Sequence, residues 1–281
     1  MIAFAPLHPP VLRLSLLGEA FRRDPLFAGA AVILALAMVP TCLAWAIDPR
    51  LVGGVAVWSK PLKFEAALAV YLGTLAWFAR WLPPGFSARR GYRVFTRVVV
   101  VAVALEMAWL VGAAAAGVPS HFNVATPAMA AIYGAMGVFA VLLTSAAAVQ
   151  GVAILRARGG GGDPALRLGI GLGLVLTFAL TLPVAGYLSG VGGHLVGVEA
   201  AGARRLALLG WAREGGDLRV AHFLATHAMH ALPLAGWIAG RLLAPAPARA
   251  AILAAAAGYA ALVGGTFLQA LAGRPFLPWL G

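Results

Sequence analysis

The chain has 281 residues, of which 62% are hydrophobic and only 11% charged. Soluble domains carry about 25% charged residues, so the composition excludes an ordinary soluble domain and points to a polytopic membrane protein. The net charge of +12 arises from 21 Lys and Arg against 9 Asp and Glu, but the basic residues are scattered through short polar stretches. That pattern excludes a nucleic-acid-binding module and suits contact with a lipid bilayer.

Residues 1–25 lack the compact apolar run and small-residue cleavage site of a signal peptide. Val11, Leu12, Leu14, Leu16, Leu17 and Phe21 alternate with Arg13, Glu19 and Arg22, which predicts a short interfacial helix on the cytoplasmic surface. Seven apolar segments follow at 26–47, 61–82, 94–116, 127–155, 167–190, 218–243 and 248–273, each near the 20 or so residues a bilayer requires. The expected fold is an all-α bundle, with one seven-span membrane domain over 26–273 and an outer tail at 274–281. Asp24-Pro25, Thr126-Pro127 and Asp163-Pro164 each supply a capping side chain followed by proline at the first helical position. Ser59 and Pro61 are expected to open the second span in the same way. Pro40, Pro183 and Pro233 fall inside spans and predict kinks. The run Gly159 to Gly162 reads as a flexible loop, and no internal repeat supports an inverted-repeat transporter.

Thirteen of the 21 basic residues fall on the side that holds the N-terminus, including Arg80, Arg89, Arg90 and Arg93 around loop 83–93. The positive-inside rule therefore places the N-terminus in the cytoplasm. Cys42 is the only cysteine, so neither an intrachain disulfide nor a thiolate cluster is available.

The sixth span carries His222, His227 and His230. At 100° per residue they fall at about 0°, 140° and 80° around the axis and extend over about 12 Å of depth, so they share one side of the helix. A single membrane histidine is usually a packing residue bonded to a neighbouring helix; three on one face point to a metal, haem or proton-linked site. The predicted topology places His194 just beyond the outer end of the fifth span and His121 in the outer loop after the third. Glu65 falls near the outer end of the second span, and Glu106 near the middle of the third. Plain structural roles compete at each position: ion pairing of Glu65 with Lys60, Lys63 or Arg219, a turn at His121 and Asn123, and a helix cap at Asp217. The segment 191–217 reads as an outer loop with an interfacial helix, serving as a lid or as a surface anchor.

Imidazole and carboxylate suit iron, copper or zinc, with His121, His194, His222, His227, His230 and Glu106 as the candidate ligands and Glu106 and Glu65 as candidate acid–base groups. The spacing His222-x4-His227-x2-His230 is not the HExxH pattern, so a redox or hydrolytic metal centre rests on convergence in space. A single b-type haem would use imidazoles from facing segments, drawn from His194, His222 and His227, with Gly192, Gly193 and Gly197 allowing close approach. A proton-coupled transporter fits Glu106 and the kinks but lacks a polar track in the inner half; a structural subunit of a membrane complex is the remaining class.

The strings WSKPLKFE (58–65), SHFN (120–123) and GGDLRVAHF (215–223) resemble those of a family of uncharacterised bacterial multi-pass membrane proteins. The resemblance extends over most of the chain and implies a multi-pass protein of a bacterial inner membrane. It implies no activity.

Overall fold

The computed structural model describes residues 11–157, 162–197, 204–206 and 209–277, with side chains from residue 17 onward. Asp-Pro and Thr-Pro pairs begin its helices as their chemistry dictates. Asp24 accepts from the Phe27 N–H ahead of α2 (Pro25–Ile47), Thr126 from Met129 ahead of α5 (Pro127–Arg156), and Asp163 from Ala165 ahead of α6 (Pro164–Gly190). Each cap occupies a backbone donor that the first helical turn leaves unbonded. Ser59 does not cap: it is the first residue of α3 (Ser59–Phe78), and Trp58 precedes the helix with no side-chain bond. A 3-10 turn, Ala79–Trp81, continues α3. The remaining helices are α1 (Val11–Arg23), α4 (Arg90–Ala116), α7 (Leu218–Leu242) and α8 (Pro245–Leu271). Two short antiparallel ribbons join them, β1 (Leu51–Val52) with β2 (Val55–Ala56) and β3 (Leu195–Val196) with β4 (Gly216–Asp217).

Among the described residues six helices are long and apolar enough to cross a membrane: α2, α3 with its 3-10 turn, α4, α5, α6 and α8. The chain is an all-α, multi-pass membrane protein. The sequence predicts seven spans, and α7 is the element that departs, because three imidazoles, Arg219 and Pro233 dilute its apolar content.

The chain divides into two compact units, residues 1–120 and 121–281. In the first, α2 and α3 pack side by side, and Phe27, Leu72, Leu75 and Val99 are fully buried. Most of α2 faces outward instead, with Ile33, Leu36, Leu43 and Ile47 exposed, as suits a lipid-facing helix. The ends of this unit are tied by polar groups. At one end Tyr92 donates to Asp24 at 2.7 Å, while Glu19 pairs with Arg22 and Arg23 and the Arg23 and Arg80 guanidinium groups lie over Trp77. At the other, Asp48 receives Arg50 and the Trp58 indole N–H, and Arg50 donates to the Ala115 carbonyl at 3.0 Å near the close of α4. The Arg50 guanidinium holds the Asp48 carboxyl well below the usual carboxylate range. Gly117 takes a left-handed φ of 69° there, which lets Val118 N–H reach back to Ala113.

The second unit is built on close backbone contact. A Cβ on Gly173 would stand 2.7 Å from the Ala228 carbonyl oxygen and one on Gly236 2.7 Å from that of Ala165, while one on Gly169 would overlap the Leu232 carbonyl. These glycines let α6 and α7 approach as small residues do in membrane interfaces. On the other side of α6, Gly151 of α5 lies equally close to Gly171. Arg167 closes the α5–α6 turn by donating to the Ile154 and Ala157 carbonyls, which end α5 without helical partners. α8 completes the unit: Val263 packs with Val184, Ala221 and Ala225, and the Tyr259 hydroxyl donates to the Leu224 carbonyl at 2.8 Å.

Candidate functional site

α7 buries Ala221, Ala225, Ala228, Leu232, Gly236 and Ala239, a stripe at helical spacing that meets α6 and α8. Because these positions lie on one face, the half-buried His222, His227 and His230 fall on the other side of the axis, as the sequence spacing predicts. Pro233 removes one backbone donor from this helix and crowds the preceding turn. Four residues earlier, Met229 directs its N–H to the Thr177 hydroxyl of α6 at 2.9 Å, so the disturbed turn is bonded across the seam.

His227 is the best-defined imidazole. Its Nδ1 lies 2.7 Å from the Phe223 carbonyl and 3.2 Å from the Thr226 hydroxyl. A carbonyl can only accept, so the Nδ1 proton is directed to Phe223, and Nε2 retains its lone pair. The ring stacks on Phe223 with centroids 3.9 Å apart, and the His230 ring is 5.4 Å further along. His222, one turn closer to the start of α7, has a buried Nδ1 with no hydrogen-bond partner.

The segment before α7 reaches this helix. Trp211 packs edge-on against Phe223 with centroids 5.4 Å apart, so an unbroken row of rings runs Trp211, Phe223, His227, His230. Asp217, predicted as a cap, accepts from Arg219 N at 3.0 Å and also from Ala212 N at 2.9 Å; Arg219 grips Asp217 and donates to the Gly210 carbonyl. Burial raises the Asp217 carboxyl, but its bonds to Arg219 and Ala212 outweigh that and hold it below the ordinary value. The expected interfacial helix lies partly outside the described residues. Those that are described form a bridged turn, with Arg205 opposite Ala212 and Leu206 N–H bonded to Trp211, in place of a helix.

His194 directly precedes β3, and its carbonyl accepts from Leu218 N–H at 2.9 Å, which fixes it beside the start of α7. His121 sits in an aromatic group with Phe122 and Tyr133, the latter at 6.1 Å between centroids, and the Tyr133 hydroxyl bonds Ser189. Asn123 accepts from Ala125 N–H, the turn its side chain favours. Among the described residues no three His, Cys, Asp or Glu side chains gather closely enough to hold one metal ion. The proposed six-ligand set is therefore represented by a pair, His227 and His230.

The two carboxyls belong to the first unit. Glu106 is 4% exposed on the buried face of α4, in register with Ala102, Leu110 and Ala113. Glu65 is buried in α3 and bonds the Thr41 hydroxyl of α2 at 2.7 Å, not a lysine, and Arg219 is committed to Asp217. Sequence spacing held no sign of the Thr41–Glu65 contact, because it joins residues of two different helices. No family model, curated protein or solved structure matches the chain.

Proposed function

We propose that this is a seven-span protein of a bacterial inner membrane, N-terminus in the cytoplasm, with an outward-facing redox or hydrolytic centre on α7. In this reading a transition-metal ion, iron, copper or zinc, is chelated by His227 and His230. The observation that carries it is the orientation of His227: its Nδ1 is spent on the Phe223 carbonyl, which leaves Nε2 as a ligand, and the next imidazole lies one turn away on the same side. Two imidazoles leave positions open for water or substrate, as catalytic metal sites require. The turn that carries Trp211, stapled by Asp217 and Arg219, covers the outer end of the ring row and would govern access. α7 serves as the seventh span because its 25 residues match its neighbours in length and its buried stripe runs from Leu218 to Ala239.

The ligand count favours a second reading, a single b-type haem. A porphyrin brings four nitrogens of its own and asks the protein for one or two imidazoles, whereas a bare ion usually takes three or four side chains. The purified protein separates the two. Stoichiometric metal without a Soret band, lost in His227→Ala and His230→Ala, supports the chelated ion; a Soret band with split α/β bands on reduction selects haem. Neither signal returns the histidines to packing or to proton-coupled transport. Reporter fusions that place loop 83–93 outside would overturn the orientation.

A further inference from the structure

Glu65 lies six residues inside α3 and Thr41 six residues before the end of α2, so each is about 9 Å of helical rise from the same end of this antiparallel pair. Both are buried, Glu65 at 2% and Thr41 at 6% exposure. The Glu65 Oε1 is 2.7 Å from the Thr41 hydroxyl, which is also 3.1 Å from the Ala37 carbonyl of its own helix. Oε2 is buried and has no partner. One hydroxyl proton cannot serve both acceptors fully. If it goes to Ala37, two oxygens face each other at 2.7 Å with nothing positive between them; if it goes to Glu65, a carboxylate stands in lipid with a single donor. Each arrangement lacks a positive charge.

The surroundings do not supply one. α2 carries no charged residue. Among the described residues Lys60 and Lys63 lie closer to the start of α3 and make no ion pair with Glu65; Arg50 is paired with Asp48, α4 brings Arg90, Arg93, Arg97 and the acidic Glu106, and on α1 Glu19 pairs with Arg22 and Arg23. Oxygen donors, by contrast, are at hand. They are both carboxyl oxygens, the Thr41 hydroxyl and the Ala37 carbonyl. Hard oxygen ligands with one formal negative charge suit a small monovalent cation. We propose that Glu65, with Thr41 and the Ala37 carbonyl, is an intramembrane site for such a cation, sodium or a proton. Sodium binding releases the carboxyl proton to water, so the two ions compete for one site.

The test uses the full chain in liposomes and a lipid-soluble carbodiimide. The reagent takes only the protonated carboxyl: a carboxyl oxygen adds to its central carbon, and the proton moves to nitrogen. Peptide mass spectrometry reads the label at Glu65 between about pH 5 and 9. Labelling slowed by sodium chloride but not potassium chloride identifies sodium; labelling indifferent to salt that falls as pH rises identifies the proton. Thr41→Val removes a sodium ligand and a donor to the carboxylate: it weakens sodium binding roughly tenfold, or moves the pH midpoint upward because the charged carboxyl loses its bond, while Thr41→Ser leaves either midpoint in place. No label at Glu65 under any condition, or a Thr41→Val midpoint equal to that of the unaltered protein, overturns the proposal.

Discussion

The two units hide polar groups in different ways. The first ties its helices at their ends, through Asp24 with Tyr92 and through Asp48 with Arg50 and Trp58, and leaves much of α2 facing outward. The second is tied along its length, where Gly169, Gly173 and Gly236 bring the α6 and α7 backbones together. The difference shows how a helix with three imidazoles can be held among apolar ones. A seam of small residues fixes one face of α7 by close backbone contact, together with the Thr177 bond to Met229, so the imidazoles can lie on the opposite side.

Glycine substitutions should break this contrast most sharply. Gly169→Ala would press a Cβ into the Leu232 carbonyl and is expected to destabilise the second unit by about 1–3 kcal/mol or more, read as a lower midpoint in thermal or denaturant unfolding. In the first unit Gly73→Ala meets only the Ala31 Cβ at 3.8 Å; there the better helix propensity of alanine should raise stability by up to about 1 kcal/mol. Equal losses at both sites would remove the distinction.

Thr177→Val tests the same seam from its hydrogen bond. With the hydroxyl gone, Met229 loses the acceptor for its N–H beside the proline kink, and the loss should be about 1–3 kcal/mol. The corresponding bond at the end of the first unit is weaker in effect. Asp24→Ala removes the cap on Phe27 and the acceptor for Tyr92, with an expected cost of about 1–2 kcal/mol in unfolding free energy.

The smallest effect concerns the Trp211 turn. Asp217 has a lowered carboxyl, so its contribution is present above the unfolded value of about 3.9 and disappears as pH falls through the still lower folded value. Protection of the amides in residues 209–217, relative to their intrinsic exchange rate at each pH, should therefore hold down to about pH 4 and fall below it. Asp217→Asn should show faster exchange at neutral pH and little change on acidification.

Much of this architecture was legible because helix starts and apolar runs are local. The spans predicted at 26–47, 127–155 and 218–243 differ from α2, α5 and α7 by one residue or less at each end. The face occupied by His222, His227 and His230 followed from helical spacing alone. The ribbons were missed, since two-residue strands leave no alternating pattern to read. So was the role of Gly169, Gly173 and Gly236, because a glycine's use depends on the backbone brought against it. The candidate site shrank for the same reason: proximity of His121 or His194 to the α7 pair depends on loop paths, and the loops carry these residues into an aromatic group and a ribbon.

The weak apolarity of α7 also bears on how the chain is made. A segment leaves the insertion machinery for lipid according to its own hydrophobicity, and three imidazoles with a proline oppose that step for α7. Its seam partner α6 is synthesised first and already presents Gly169 and Gly173 to it. As the proposed seventh span, α7 would then enter the bilayer as half of a helical hairpin, not as a lone segment. Side chains longer than alanine along that seam would lower the yield of inserted protein, an effect upstream of any centre on α7.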